Sequence, residues 1–446
     1  MIAARWSLLA WIFAVLVTGL AADDKYLLKC EAKPGQQWQV QMAMNLRGKL
    51  EIRGEEKVTT LDLNASAQHV FAERVLKEEA GTPMSVGRHY YTAQADITAH
   101  QNTQKRTLRP ERRTQVATLN AAGTIVYAPN GPLTREELEL TADHLDVLAL
   151  HSLLPGKEVA LNEIWPAPLL AAQALAGMDG VTENKLQCQF TQIDGSVATI
   201  AVTGSLEGIH RGAELTVVTN GKIQFHLNER RIVQVEWRQQ ETRKQGPVSP
   251  ASTIESVTVA RWTRGAEAPD LSDGIVNLFP PAPTAGHLLL VYQDGKGRFS
   301  FTYDRDWHVV AQSDTATVMR LLERGQLLAQ AHITPWRSAA PGSHVTLTEL
   351  EDQLRRSPGF EVEHLVPSQD VPTTGGLWIG RASALGKSGE ALLVQSLYAV
   401  ASPKGEQVLL SFTTEANKAE KLAAREFGMV KSVEFSKIVQ AGGAQP

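Results

Sequence analysis

The chain has 446 residues, of which 43% are hydrophobic and 21% are charged, and its formal net charge is −4. This length suits two domains of ordinary size, and the apolar fraction is sufficient for packed cores. A slightly negative chain has no overall electrostatic field that would attract a polyanion, so nucleic acid is not expected as a partner.

The N-terminal segment has the three parts of a secretory signal. Residues 1–5 are short and basic, residues 6–17 are apolar, and small residues follow at 19–21. We expect a signal peptide over residues 1–21, cleaved after Ala21 or Ala22, and a periplasmic or secreted mature protein. No second apolar run of spanning length follows, so no integral membrane segment is expected after cleavage.

Residues 22–265 are dominated by alternating apolar and polar side chains, the pattern of half-buried antiparallel strands. Turns are expected at Asp194-Gly195 and Asn220-Gly221, where glycine supplies the positive φ of a tight hairpin. The region is predicted to be a curled, half-barrel-like antiparallel sheet. Its inner face is a candidate surface for an apolar ligand, formed by Trp38, Val40, Met42, Met44, Val233, Val235 and Trp237.

Two helices are predicted to interrupt these strands and to lie on one face of the sheet. The first, near residues 134–154, begins with a capping box formed by Thr134 and Glu137 and places Leu138, Leu145 and Leu148 on one side. The second is expected near residues 166–176.

Residues 266–285 are rich in proline and are predicted to be a linker, part of which docks on a domain surface. Residues 286–437 mix strand and helix patterns, including a capping box at Thr346 and Glu349 and a helix near 416–427. Residues 438–446 are expected to be a disordered tail. The predicted class is α+β, with two domains.

The C-terminal domain resembles the PsbP-like α/β/α sandwich superfamily. The resemblance rests on Phe299-Ser300-Phe301-Thr302-Tyr303-Asp304-Arg305-Asp306-Trp307, on the order of the following elements, and on the ending Val430-Lys431-Ser432-Val433-Glu434-Phe435. Asp304 stands where the family segment has proline. The resemblance implies an α/β/α sandwich with an antiparallel sheet and a binding or accessory role, without implying catalysis. The N-terminal domain resembles lipoprotein-carrier-type envelope proteins in architecture alone.

The two cysteines, Cys30 and Cys188, both lie in the predicted N-terminal domain. In an exported protein they could form a disulfide, or they could remain buried thiols that act as small hydrophobic residues. The sequence leaves both alternatives open.

Two clusters of acidic or histidine residues are candidates for a metal site or an acid–base site. His144 and His151, with Asp143 and Asp146, are residue types that bind metals, but their spacing lacks the i, i+4 geometry of a helical zinc pair. A solvated or partly buried helix face is therefore expected, with no metal site. Asp304 and Asp306 could act in acid–base chemistry, although a hydrated turn is the favoured interpretation.

The remaining candidate binding residues are one basic run and the tryptophans. The run Lys105, Arg106, Arg109, Arg112 and Arg113 could bind an anionic surface, but an exposed strand whose charges prevent edge association is favoured. The tryptophans are scattered over both domains and are expected in cores or at rims.

No catalytic or cofactor-binding motif occurs in the sequence. The leading hypothesis is an exported, non-enzymatic envelope or secreted protein that binds an apolar small molecule, a lipid or an envelope protein. The alternative is a structural scaffold that bridges envelope components without a ligand cavity. A hydrolase with a motif-less active site is a third possibility. No cofactor is expected, and the sequence does not indicate an oligomeric state.

Overall fold

The structure is a computed structural model that describes residues 24–54, 57–120, 123–142, 145–373 and 375–436. The predicted signal peptide, the predicted tail, and the candidate residues Asp143 and His144 lie outside these ranges. Within the described ranges, no helix has both the length and the apolar character needed to cross a membrane.

The described residues before 264 form fifteen strands. They are β1 Lys25–Leu27, β2 Gln37–Arg53, β3 Val58–Glu79, β4 Thr82–Ala99, β5 Asn102–Thr107, β6 Thr114–Asn120, β7 Gly123–Tyr127, β8 Glu158–Ala160, β9 Ile164–Pro166, β10 Gly180–Asn184, β11 Gln187–Asp194, β12 Val197–His210, β13 Ala213–His226, β14 Arg231–Arg243 and β15 Ala251–Thr263. All but β1 and β8 belong to one 13-stranded sheet, and those two pair with each other.

The large sheet is antiparallel throughout, as the alternation of side chains predicts. Its main path runs β7-β6-β4-β3-β2-β15-β14-β13-β12-β11-β9, so the first long strand, β2, lies beside the last, β15. Successive strands are joined mainly by hairpins, because tight turns such as Gly195, with φ of 55°, reverse the chain locally.

Both helices of the insertion are shorter than predicted. The first helix, α1 Arg135–Ala142, keeps the capping contacts between Thr134 and Glu137, but a 3-10 helix, Ala149–Leu153, occupies the later part of the predicted span. The second, α2 Leu169–Leu175, begins after a strand that occupies Ile164–Pro166. Prolines 166 and 168 explain the late start, because proline is excluded from a helix interior.

Two local predictions in the sheet were wrong. Asn220-Gly221 is not a turn but the middle of β13, where Gly221 leaves room for the Trp237 ring of β14. Val233 does not share the buried face with Val235, because the β13–β14 register shifts here: Gln224 pairs with Gln234 but Phe225 pairs with Ile232. This β-bulge moves Ile232 inward in its place.

The predicted linker packs in part on the large sheet. It contains a 3-10 helix, Pro269–Leu271, and two one-turn helices, α3 Asp273–Val276 and α4 Ala285–Leu288. Leu271 is fully buried in a small cluster with Ala72, and its carbonyl accepts a 2.7 Å hydrogen bond from Arg74.

After the linker, residues 289–373 and 375–436 contain ten strands and two α-helices. They are β16 Leu290–Gln293, β17 Phe299–Tyr303, β18 Trp307–Gln312, β19 Thr317–Glu323, β20 Gln326–Trp336, α5 Leu347–Arg355, β21 Glu361–Asp370, β22 Trp378–Ser388, β23 Ala391–Ala401, β24 Gln407–Glu415, α6 Ala419–Lys431 and β25 Glu434–Phe435. Seven of the strands form a sheet ordered β18-β19-β20-β24-β23-β22-β21, and β16, β17 and β25 form a smaller one.

The two helices pack on opposite faces of the seven-stranded sheet. Leu350 of α5 shares a core with Ala399 of β23, whereas Leu422 of α6 shares another with the adjacent Tyr398. Neighbouring residues of a strand point to opposite faces, so these contacts place one helix on each side. The predicted capping box at the start of α5 is present, with both Thr346 and Glu349 bonded as expected.

One hydrophobic core continues from the large sheet into the C-terminal segment. Val126 of β7 and the buried Leu133 belong to the same cluster as Leu290 and Trp307. Leu133 and Leu290 form a parallel bridge, and the Val291 amide donates to the Leu133 carbonyl at 2.9 Å. The two halves of the chain therefore share buried apolar surface.

Candidate functional site

The candidate apolar face is largely filled by protein side chains. Val40, Met42, Val235 and Trp237 are at most 3% exposed and belong to one core cluster. The same cluster includes buried residues of the helical insertion, namely Leu140, Leu150, Ala172 and Leu175. The helices thus occupy the space that a ligand would need at this end of the sheet.

The remaining candidates on this face lie at its margins. Trp38 and Met44 are half-buried, and the guanidinium of Arg231 lies over the Trp38 ring at 4.1 Å. Trp237 is held on two sides, because its ring rests on Gly221 and its indole nitrogen donates to Gln239 at 3.0 Å. A cross-strand glycine beneath an aromatic ring is a packing device of sheets.

Both cysteines are buried free thiols in the structure, and they do not form a disulfide with each other. Burial raises the pKa of each thiol to about 12. Because the thiolate is the reactive form, neither cysteine is suited to nucleophilic or redox chemistry.

The structure contains a buried ion pair at the inner face of the large sheet that the sequence patterns do not predict. Arg88 donates to Glu73 at 2.9 Å, and both side chains are less than 10% exposed. Trp262 donates to the second oxygen of Glu73 at 3.4 Å, and Arg88 lies over the Phe71 ring. Burial opposes the charged form of Arg88, but the charge of Glu73 raises its pKa overall. No sequence motif marks the pair, because its members meet only across β3 and β4.

The described histidine and aspartate candidates, His151, Asp146, Asp304 and Asp306, lie at two separate places in the fold. His151 is in the 3-10 helix, where burial lowers its pKa and its ring contacts the Leu148 carbonyl at 3.2 Å. The metal-ligand residues of the described ranges include no group of three arranged to hold an ion. Asp304 and Asp306 both lie near Arg425, at 3.9 and 3.4 Å, in the turn before β18.

Arginines of the basic run form ion pairs and hydrogen bonds with the helical insertion and the residues before it. Arg106 contacts Glu139 of α1 at 2.8 Å, and Arg109 contacts Glu137 at 2.6 Å. Arg112 donates to the carbonyl of Pro132 at 3.0 Å. β5 is paired on one side, with β4, yet these arginines position α1 and do not present a continuous anion-binding surface.

One large concavity, which we call the trough, lies on the solvent-facing side of the 13-stranded sheet. It has a volume of about 950 Å³ and crosses β2, β3, β4, β13, β14 and β15. Apart from Val218 and Val257, the outward side chains that line it are polar: Asn45, Arg47, Asn64, Ser66, Asp96, Thr98, Asn220, Arg238, Gln240 and Glu255. Arg47 and Glu255 form an exposed 2.6 Å ion pair within it. The trough suits hydrophilic contacts, not an apolar ligand.

A second concavity, of about 650 Å³, lies where the large sheet meets the C-terminal segment. We call it the junction cleft. Its charged lining consists of Arg135, Arg211, Arg305 and Arg324, with Asp179, Asp306 and the ring of His308. Sequence patterns do not predict this cleft. The dipeptide Arg-Gly at 211–212 and 324–325 contributes to it, but the same dipeptide also occurs at 47–48, 53–54 and 264–265, so it is not a specific signal.

Comparison with known proteins finds no matching family model and no matching curated protein. Among solved structures, lipovitellin, in a study of its lipid–protein interactions, is 11% identical. That match covers 57% of this chain and 27% of the lipovitellin chain, with a TM-score of 0.29. This chain therefore spans about a quarter of lipovitellin.

Another similar structure is the solution structure of cyanobacterial PsbP (CyanoP) from Synechocystis sp. PCC 6803. It is 14% identical, and the match covers 35% of this chain and 98% of that chain, with a TM-score of 0.27. At these TM-scores neither match carries a functional argument. The structure comparison nevertheless returns the same family, PsbP, that the C-terminal sequence resembles.

Proposed function

We propose that this protein is an exported, non-enzymatic scaffold that contacts hydrophilic partners in the envelope or outside the cell. In this proposal residues 1–21 are a cleaved signal, residues 22–265 form the curled-sheet domain, and residues 286–437 form an α/β/α sandwich joined to it by residues 266–285. Both domains serve as binding modules, and neither carries a catalytic centre.

The observation that carries the proposal is that the apolar face of the large sheet is covered by protein side chains. A carrier needs an apolar space that a ligand can enter, whereas Val40, Met42, Val235 and Trp237 pack with side chains of the helical insertion. The large trough on the opposite face is lined mainly by amides, hydroxyls and charged groups. This arrangement favours a polar partner surface over a lipid or another apolar ligand.

Replacing Trp237 tests whether the inner face is a core or a ligand site. As a core residue, Trp237→Ala should lower the free energy of unfolding by about 3–5 kcal/mol, because a large buried ring leaves a cavity. Val218→Ala is the matched control, because Val218 lies on the outer face of the neighbouring strand and is 50% exposed. Its effect should stay within about 0.5 kcal/mol. Urea unfolding of the mature protein measures both changes.

Native mass spectrometry of the mature protein from an exporting host completes the test. The scaffold predicts the bare chain mass before and after extraction with organic solvent. An apolar adduct that disappears on extraction, together with a Trp237→Ala variant that remains stable but no longer carries the adduct, would establish a carrier and refute the scaffold.

A further inference from the structure

The junction cleft concentrates positive charge on a protein whose net charge is negative. Four arginines line it, against two aspartates. One of those aspartates, Asp306, is already paired with Arg425 at 3.4 Å, and the other, Asp179, accepts the backbone N–H of Arg211 at 2.5 Å. The cleft is therefore electropositive, whereas the chain as a whole carries −4.

Two of the arginines are presented by matching hairpin turns, one from each half of the chain. Arg211-Gly212 joins β12 to β13, and Arg324-Gly325 joins β19 to β20. Both arginines have positive φ, 50° and 51°, in turns of a kind that favours asparagine, aspartate or glycine. An arginine in this conformation is strained relative to those residues, and such strain is commonly found at functional sites.

The glycines of the two turns touch each other, which brings the arginines to the same cleft. A side-chain carbon on Gly212 would collide with the backbone carbonyl oxygen of Gly325. Each glycine also has positive φ, 77° in both cases. Arg211 reaches Glu139 of α1 at 3.6 Å, whereas no acidic group of the described residues forms an ion pair with Arg324.

The other two arginines are held by carbonyl groups. Arg305 donates to the carbonyls of Val126 and Leu288, at 2.8 and 2.9 Å, and Arg135 donates to those of Arg305 and Trp307, at 2.7 Å or less. Within the described part of the chain, neither guanidinium forms an ion pair with a carboxylate, and the Nε of Arg135 is buried without a partner. Guanidinium groups that are held in place and whose positive charge is not paired with a carboxylate are suited to binding oxyanions.

The pKa values of groups in the cleft are consistent with its positive charge. Burial, together with Arg135, lowers the pKa of Arg305 to about 10. Burial, together with Arg135, Arg211 and His210, lowers the pKa of His308 to about 3. A bound anion would relieve the repulsion that these groups experience.

We propose that the junction cleft binds a small anionic ligand that carries phosphate or carboxylate groups. Arg305 and Arg135, fixed by backbone carbonyls, line the cleft on the C-terminal and α1 sides, and Arg324 and Arg211 reach it from the two turns. Because each half of the chain supplies arginines, the ligand bridges the two halves. This site is separate from the interior of the curled sheet and from the trough.

Titration calorimetry on the mature protein tests the proposal, with inorganic pyrophosphate and citrate as separate probes at constant ionic strength. At least one should bind with a Kd below about 1 mM, and which one binds distinguishes phosphate from carboxylate recognition. The double variant Arg211→Asn with Arg324→Asn should bind the same probe about tenfold or more weakly, because two charge-assisted contacts are lost. Asparagine tolerates positive φ, so both turns should still form.

Arg230→Asn is the matched control, because Arg230 also has a φ of 51° but lies away from the cleft. It should bind the probe as the unmodified protein does. Arg324→Asn alone, at an exposed position, should weaken binding in the same direction and guards against misfolding of the double variant. Failure of both probes to bind, unchanged binding by a folded Arg324→Asn variant, or equal loss in Arg230→Asn would overturn the proposal.

Discussion

At the scale of single residues, the junction cleft shows how burial and neighbouring charge set the chemistry of a side chain. His308 on β18 faces Arg135 of α1 and the His210-Arg211 pair at the β12–β13 turn. Its protonated form would be deprived of water and would lie near the positive charges of Arg135 and Arg211, so the neutral ring is favoured. The histidine therefore stays uncharged in the folded protein at pH values where an exposed histidine would be protonated.

This suppressed protonation predicts a pH dependence of stability. An unfolded chain protonates His308 below about pH 6.5, whereas the folded protein does so only near pH 3. The free energy of unfolding therefore decreases as the pH falls through this range. His308 contributes at most about 1.4 kcal/mol to this decrease per pH unit. His308→Gln should reduce the loss of stability between about pH 7 and pH 5, measured by urea unfolding.

His364→Gln is the control for that experiment, since His364 is exposed on β21. It should leave the pH dependence of stability unchanged. Equal slopes for the unmodified protein and His308→Gln would show that His308 is not held neutral by its surroundings.

At the scale of elements, the two Arg-Gly hairpins join the sheets through direct backbone contact. The β12–β13 turn and the β19–β20 turn approach so closely at Gly212 and Gly325 that no side chain fits between them. Arg320, on β19, adds a hydrogen bond to the Pro247 carbonyl between β14 and β15. Glycine is thus required here both for its positive φ and for its size.

Gly212→Ala should destabilise the protein by more than its backbone conformation alone explains. Gly389→Ala separates the two effects, because Gly389 also has positive φ, 59°, but no atom lies within 4 Å of the added carbon. We expect a cost of about 1 kcal/mol for Gly389→Ala and roughly a further 1–3 kcal/mol for Gly212→Ala. Urea unfolding compares them, and equal losses would contradict the turn-to-turn contact.

At the scale of the whole molecule, the two halves of the chain are coupled by buried surface and not only by the linker. Leu133, Val126 and Leu138 pack in the same core as Leu290 and Trp307. The docking of Leu271 on the large sheet further restrains the connecting segment. The halves are therefore expected to open together, although each contains a sheet of its own.

Leu133→Ala tests this coupling. It should lower stability by about 2–5 kcal/mol and increase hydrogen exchange both in β6 and β7 and in β16 and β17, because the cavity opens at their shared core. Leu350→Ala removes the same atoms from the separate core under α5 and should increase exchange around α5 and β21 while β6 and β7 remain protected. An effect of Leu133→Ala confined to one half would indicate independent domains.

Local sequence patterns predicted the kinds of elements better than their ends and contacts. Alternation over residues 37–46 predicted a strand there, which in the structure continues to Arg53. The capping box at Thr346 and Glu349 predicted the start of α5. Both signals arise from near neighbours in the chain. The same local reasoning placed a turn at Asn220-Gly221, since it could not show that the glycine accommodates Trp237 from another strand.

The predominance of antiparallel strands, their polar and apolar faces, and the resemblance of the C-terminal segment to PsbP can be predicted from the sequence. The three-dimensional fold was needed to show that the helical insertion covers the inner face. It was also needed to show that Arg135, Arg211, Arg305 and Arg324 share one cleft. Periodicity tells which side of a strand is apolar, but not what covers it. That depends on contacts between residues far apart in the chain, which local patterns do not encode.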